Sequence, residues 1–268
     1  MFDLRYHRPA TLAEAAALFA GAGEARYLAG GMTLIPTMKQ RLAAPGDLID
    51  IGRLAELKDL SVAGGVLTVG AAMTHAEVAA SATVAEAIPA LAALAATIGD
   101  PAVRHMGTLG GSLANNDPAA DYPAAALALG ATIHTHTRRV AAADFFTGLF
   151  STALADGEIV VRVDFPVPAK AAYEKFRNPA SRYAMAGVFV ARLKDGSVRV
   201  GVTGAGSGGV FRAAAIEQAL AQSWSPAAID AVTIDPERML ADIHGTAAYR
   251  ANLVKVMAKR AVARTDQI

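Results

Sequence analysis

The 268-residue sequence predicts an α+β fold in two parts, with a boundary near residue 170. Three observations carry that reading. Strand and helix signals alternate over the first 55 residues, as a β-α-β unit requires. From about Leu57 the strands pair as hairpins around glycine turns, with alanine-rich helical runs between them. Beyond Pro168 a long hairpin signal is followed by helices, which reads as a smaller C-terminal antiparallel sheet with a helical bundle.

The elements follow in order. Thr11 and Glu14 form a capping-box pattern ahead of a helical run over residues 15–20, which Gly21 and Gly23 stop. Residues 26–29 read as a short strand, Gly30 and Gly31 as a turn, 34–42 as a helix and 48–51 as a second strand. Residues 61–63 and 66–69 flank a Gly64-Gly65 hairpin turn. A second capping box, Thr74 with Glu77, opens a short helix, and residues 84–98 are mostly helical with Pro89 near a boundary. Residues 107–121, rich in Gly, Asn and Asp, read as a long ordered loop between apolar segments, a length at which loops in compact domains are usually functional. Residues 183–193 and 197–203 flank the turn Lys194-Asp195-Gly196, and helices are expected over 213–222, after Ser225-Pro226, and over 247–262.

Composition removes several function classes. Hydrophobic residues make up 53% and charged residues 18%, the balance of a chain that buries a core. The formal charge is only +1, so there is no field to gather nucleic acid or an anionic membrane. There is no cysteine, which excludes disulfides, a thiolate nucleophile and cysteine-ligated iron–sulfur clusters in this chain. Residues 1–20 contain Asp3, Pro9 and Glu14 and lack a secretory signal's basic and apolar regions, and the Ala/Leu-rich stretch 122–133 is shorter than the roughly 20 residues of a membrane span. These features read as cytoplasmic, without membrane insertion.

Two glycine loops carry the chemistry. The first, Ala29-Gly30-Gly31-Met32-Thr33-Leu34-Ile35-Pro36, lies between a strand end and a helix start, where glycines admit close approach and free N–H groups receive an anion such as a pyrophosphate. Taken alone, such a pair is more often a plain tight turn. The second runs Thr108-Leu109-Gly110-Gly111-Ser112-Leu113-Ala114-Asn115-Asn116-Asp117-Pro118-Ala119-Ala120-Asp121. Its hydroxyls and amides suit ribityl, ribose and phosphate oxygens, and Asp121 suits an imide N–H. Two such loops in one chain are harder to dismiss than either alone.

These segments, together with Tyr173-Glu174-Lys175-Phe176, Ser181-Arg182-Tyr183-Ala184, Asp242-Ile243-His244 and Tyr249-Arg250, resemble the flavin-binding medium subunits of molybdenum hydroxylases, the carbon monoxide dehydrogenase and xanthine dehydrogenase family. The resemblance spans nearly the whole chain. It implies an FAD-binding domain over 1–170, built of two α/β subdomains (about 1–55 and 56–170) of the vanillyl-alcohol-oxidase type, and a C-terminal domain over 171–268. It also implies a non-covalent FAD. Leu28, Ala29, Gly30, Gly31, Met32 and Thr33 would line its pyrophosphate, and Thr108, Gly111, Ser112 and Asn115 would complete the cradle. Asp121 would meet the pyrimidine edge of the ring system, Ile98 and Val160 would give apolar contacts, and Tyr183 would sit where a loop approaches the flavin. Met32 departs from the family, where polar or aromatic residues are frequent.

On this reading no catalytic acid, base or nucleophile in the chain acts on the primary substrate. A molybdenum subunit carries the substrate chemistry, an iron–sulfur subunit passes electrons to the FAD, and an external acceptor removes them. The alternatives are a self-contained FAD-dependent reductase or dehydrogenase and a cofactor-free scaffold subunit. Three other features read as structural. Gly204-Ala205-Gly206-Ser207-Gly208-Gly209 matches G-x-G-x-x-G but follows a hairpin strand with no β-α-β unit behind it. His134 and His136 share what reads as a partly exposed strand face, with no clear third and fourth ligands, so no metal site is expected. Arg138-Arg139 reads as a solvated surface pair.

Overall fold

The N-terminal strands β1 (Arg5–His7), β2 (Ala25–Leu28) and β3 (Asp47–Asp50) form a parallel sheet in the order β1-β3-β2 in the computed structural model, which describes residues 1–265. The helix Leu12–Ala20 connects β1 to β2; Thr11 accepts the Glu14 N–H, while the Glu14 carboxylate reaches back to Ala10, one residue beyond the expected box partner. The helix Leu34–Lys39 stops short of residue 42, and Arg41 follows in a left-handed conformation (φ 61°). Ala15, Ala25, Ile49 and Leu57 pack as the core of this layer.

The second layer is antiparallel. Strands β4 (Leu60–Ala63) and β5 (Val66–Gly70) are joined by Gly64 and Gly65, both at positive φ (57° and 78°), as a two-residue hairpin turn with matching twist requires. With β6 (Thr132–Thr135), β7 (Arg139–Ala141) and, after the small ribbon β8 (Phe146–Gly148) and β9 (Ser151–Thr152), β10 (Val160–Pro166), they give the order β4-β5-β10-β6-β7. Helices His75–Ala80, Ala82–Ala87 and Pro89–Ala96 cross between β5 and β6; Pro89, lacking an N–H, opens the last of them at its first position.

The expected long loop 107–121 contains a helix instead, Leu109–Asn115. Thr108 is its N-cap, with Oγ1 accepting the Gly111 N–H at 3.1 Å, and Asn116 ends it in the left-handed region (φ 44°). Two adjacent glycines hid this helix from a reading by propensity. Asn116 also fastens the ribbon, its Nδ2 donating to Gly148 O and Ser151 O.

Strands β11 (Lys170–Arg177), β12 (Ala184–Arg192), β13 (Val198–Thr203) and β14 (Phe211–Arg212) form the third sheet in sequence order. Helices Ala214–Gln222 and Ala247–Arg264 cover one face, against Ala186, Val188 and Val190 of β12. Phe189 and Ala191 of the same strand join the core of the second layer. Both faces are covered, so β12 is nearly continuously apolar instead of alternating. The contact is close at Gly201, where an added Cβ would stand 2.1 Å from Ala124 O in the helix Tyr122–Leu129.

Two structural readings need correction. Arg138 is not simply solvated: its guanidinium clamps the buried Glu158 carboxylate, and that hydrogen bonding holds Glu158 far below the usual carboxylate range. His134 is buried and bonds to Asp164 at 2.7 Å. Among the described residues no group of acidic, histidine or cysteine side chains is arranged for a metal, and no helix is long and apolar enough to cross a membrane.

Candidate functional site

The first glycine loop leaves the carboxyl end of β2, where open sheets with parallel strands place their ligands. Gly31 has φ 70°, and an added Cβ there would meet Leu28 and Ile35 side chains at about 3 Å. Gly30 is more constrained. A Cβ on it would lie 2.0 Å from Met106 O and 2.8 Å from Gly107 Cα, so the first loop presses backbone to backbone on the residues just before the second motif. Two segments about 75 residues apart in sequence thus form one wall. The N–H groups of Gly30, Gly31, Met32 and Thr33 have no acceptor among the described residues, and Thr33 gives the following helix no side-chain cap. This is a set of unspent donors suited to an anion. Leu28 and Ala29 are half-buried beside it, whereas Met32 and Thr33 are exposed.

The second motif is organised differently. Leu109 N donates to Met73 O, Gly110 N to Ala71 O and Gly111 N to Thr108 Oγ1, so the first turn of this helix is already satisfied by protein. Thr108 and Gly111 therefore serve each other. Ser112 and Asn115, three apart and on one helical face, are half-buried and have side chains without a partner among the described residues. Below the junction, His75 lies against Gly107 and near Tyr122, with ring centroids 5.4 Å apart. Nδ1 of His75 and the Tyr122 hydroxyl are buried without partners among the described residues. Burial, then the Arg104 charge, lowers the His75 pKa to about 4, so this ring is neutral at physiological pH.

Asp121 is buried just before the helix Tyr122–Leu129. The sequence suggested a carboxylate free for a ligand, but the third sheet already engages it: Oδ1 accepts from Tyr173 OH at 2.5 Å and from Lys175 Nζ at 2.8 Å. The Lys175 and Asp121 side chains are 2% and 5% exposed, a buried ion pair. Burial and the Asp121 charge push the Tyr173 pKa well above its ordinary value and keep it a donor. Oδ2 accepts no hydrogen bond among the described residues. Lys175 and Tyr173 entered the sequence reading only as part of a resembling segment; their i, i+2 spacing on a strand was the available signal that both face one way.

The remaining candidates are not joined to the glycine loops by any hydrogen bond. Val160 is buried at the start of β10, and Ile98 packs on the same core, its carbonyl accepting from Arg104. Tyr183 is half-buried between β11 and β12; Asn178 Nδ2 donates to its hydroxyl at 3.1 Å, and His244 stands edge-on at 6.3 Å. A cavity of about 870 Å³ lies elsewhere. Its lining includes Glu24, Arg26, Pro45, Arg138 and Glu158, at the amino ends of β2 and β3. Ligands of parallel sheets bind at the carboxyl ends, so size alone does not make it the site.

Fold and site together define a mixed α and β protein that sets free backbone donors of one glycine loop against the start of a second glycine motif, which carries polar side chains and ends at a buried carboxylate. Residues 2–168 match the family model described as the FAD binding domain in molybdopterin dehydrogenase, and the chain belongs to that family. It is 34% identical to the carbon monoxide dehydrogenase medium chain of Afipia carboxidovorans, over 97% of this chain and 95% of the relative. It is also 34% identical to the nicotine 6-hydroxylase medium subunit of Paenarthrobacter nicotinovorans, over 97% and 96%. Among solved structures, reconstituted CO dehydrogenase from Oligotropha carboxidovorans superposes with a TM-score of 0.89 at 33% identity, covering 99% of this chain and 98% of that one. Quinoline 2-oxidoreductase from Pseudomonas putida 86 gives 0.86 at 30% identity, covering 99% and 98%.

Proposed function

We propose that this chain holds one FAD non-covalently and serves as the electron-transfer subunit of a molybdenum hydroxylase, receiving electrons from an iron–sulfur partner and passing them to an external acceptor. The observation that carries the reading is the seam itself: Gly30 set on Met106 and Gly107, with the unspent N–H groups of residues 30–33 on one side of the contact and, on the other, the helix bearing Ser112 and Asn115, which begins two residues beyond it. Backbone donors would hold the pyrophosphate, so Met32 in place of a polar residue costs no side-chain ligand. Ser112 and Asn115 would take sugar and ribityl oxygens, and Asp121 Oδ2, fixed by Tyr173 and Lys175, would face the imide edge. Ile98, Val160 and Tyr183 would bound the ring. When bound, the flavin supplies a store for two electrons that can be filled one at a time.

Covalent attachment has little support near the loops. His75 is buried, and the exposed His105 has Nδ1 engaged with Pro101 O at 2.7 Å. The absence of cysteine means that the clusters must come from a partner, and with them a molybdenum subunit for the substrate. The test compares flavin reduction in the isolated chain and in the assembly co-purified with its partners. The assembly should bleach its flavin when given the organic substrate, and the isolated chain should not. Rapid substrate-driven turnover by the isolated chain would replace this reading with a self-contained flavoenzyme, and a colourless purified chain would leave a scaffold.

A further inference from the structure

Lys175 on β11, Gly187 on β12 and Thr203 on β13 are cross-strand neighbours, paired Lys175 with Gly187 and Gly187 with Thr203. The middle position has no side chain, and its neighbours close in: a Cβ on Gly187 would stand 2.3 Å from Tyr173 OH and 3.0 Å from Thr203 Cγ2. The row forms a seat for residues 117–121. Lys175 takes Asp121, while Thr203, fully buried, donates from Oγ1 toward Pro118 O at 3.0 Å and Ala120 O at 2.6 Å. Gly204 N adds a bond to Pro118 O at 2.8 Å.

We infer that Thr203 is a positioning residue for the flavin site: its hydroxyl fixes the loop that aims Asp121, making the C-terminal sheet part of the cofactor cradle. This rests on the FAD reading above. A β-branched side chain has few χ1 choices, and the Thr203 methyl lodged over Gly187 selects the one that points Oγ1 at the loop. The hydroxyl proton can reach either of two carbonyls, one of them on the residue immediately before Asp121. Valine keeps the shape and removes the donor, leaving two half-buried carbonyls with one bond between them, that from Gly204.

The full-length chain is loaded with FAD, and its dissociation constant, flavin potential and thermal midpoint are measured for wild type, Thr203→Val, Thr203→Ser and Val190→Ala. Val190 lies fully buried on the opposite face of β12, so its variant controls for destabilisation alone. Thr203→Val should weaken FAD binding roughly 5- to 50-fold and shift the potential, with Thr203→Ser restoring both. Val190→Ala should lower the midpoint without either change. If Thr203→Val does not fold, Thr203→Ala takes its place in the comparison. Wild type without FAD affinity would refute the flavin reading. Wild type that binds FAD, with Thr203 variants unchanged or no worse than Val190→Ala, would refute the positioning role alone.

Discussion

Asp121 was legible as an acceptor candidate from its place after Asp117-Pro118-Ala119-Ala120, but its partners were not, because Tyr173 and Lys175 lie more than 50 residues away on another sheet. The pairing changes what a mutation should do. Asp121→Ala strands the Lys175 ammonium in a site where its side chain is 2% exposed, and breaking a buried pair costs about 3 to 5 kcal/mol. The variant should therefore lose stability as well as FAD affinity. Asp121→Leu combined with Lys175→Met removes both charges and should regain most of the stability without regaining FAD. Denaturant unfolding and flavin titration on the single and double variants separate the two effects. FAD binding restored in the double variant would remove Asp121 from the site.

At the level of elements, the hairpin at Gly64-Gly65, the Thr74–Glu77 capping box and the long β12–β13 hairpin were readable because each has a local chemical signature. The helix Leu109–Asn115 was not, since its start depends on acceptors that the strand end after β5 supplies, Ala71 O and Met73 O, which no local pattern records. His75, on the helix that follows, backs this junction and gives it a pH signature. The unfolded chain takes up a proton near the ordinary histidine value of about 6.5, whereas in the folded protein protonation waits until about pH 4. The unfolded state binds more protons between these values, so stability should fall as pH drops from about 6.5 to about 4 and level off below, by an amount on the order of 3 kcal/mol. Chemical denaturation across that range should show the slope in wild type and a much flatter profile in His75→Gln. Equal slopes in both would assign the acid sensitivity to other groups, Glu158 among them at lower pH.

Across the whole molecule, the change in pattern near residue 170 coincides with the start of the third sheet at Lys170, but the way that sheet meets the others was not legible. Sequence periodicity cannot show that β12 faces two cores, with Phe189 in one and Val188 in the other. Nor can it show that residues 117–121 are held from beyond Pro168, by Thr203, Gly204, Tyr173 and Lys175. A ligand bound as proposed would touch groups fixed by all three sheets, so its binding energy should stabilise the chain as one cooperative unit and not the N-terminal loops alone. At a free FAD concentration 100 times the dissociation constant, that linkage amounts to about 2.7 kcal/mol, or roughly 5 °C in the unfolding midpoint for a chain of this size. Calorimetry of the apo and FAD-loaded chain should show a single transition that moves upward as a whole. Tyrosine fluorescence and Trp224 fluorescence should report the same shift, since Trp224 packs against the C-terminal core, remote in sequence from both glycine motifs. If FAD moved an early transition and left the Trp224 signal in place, the C-terminal sheet would be a bystander to cofactor binding and the three sheets would not act as one site.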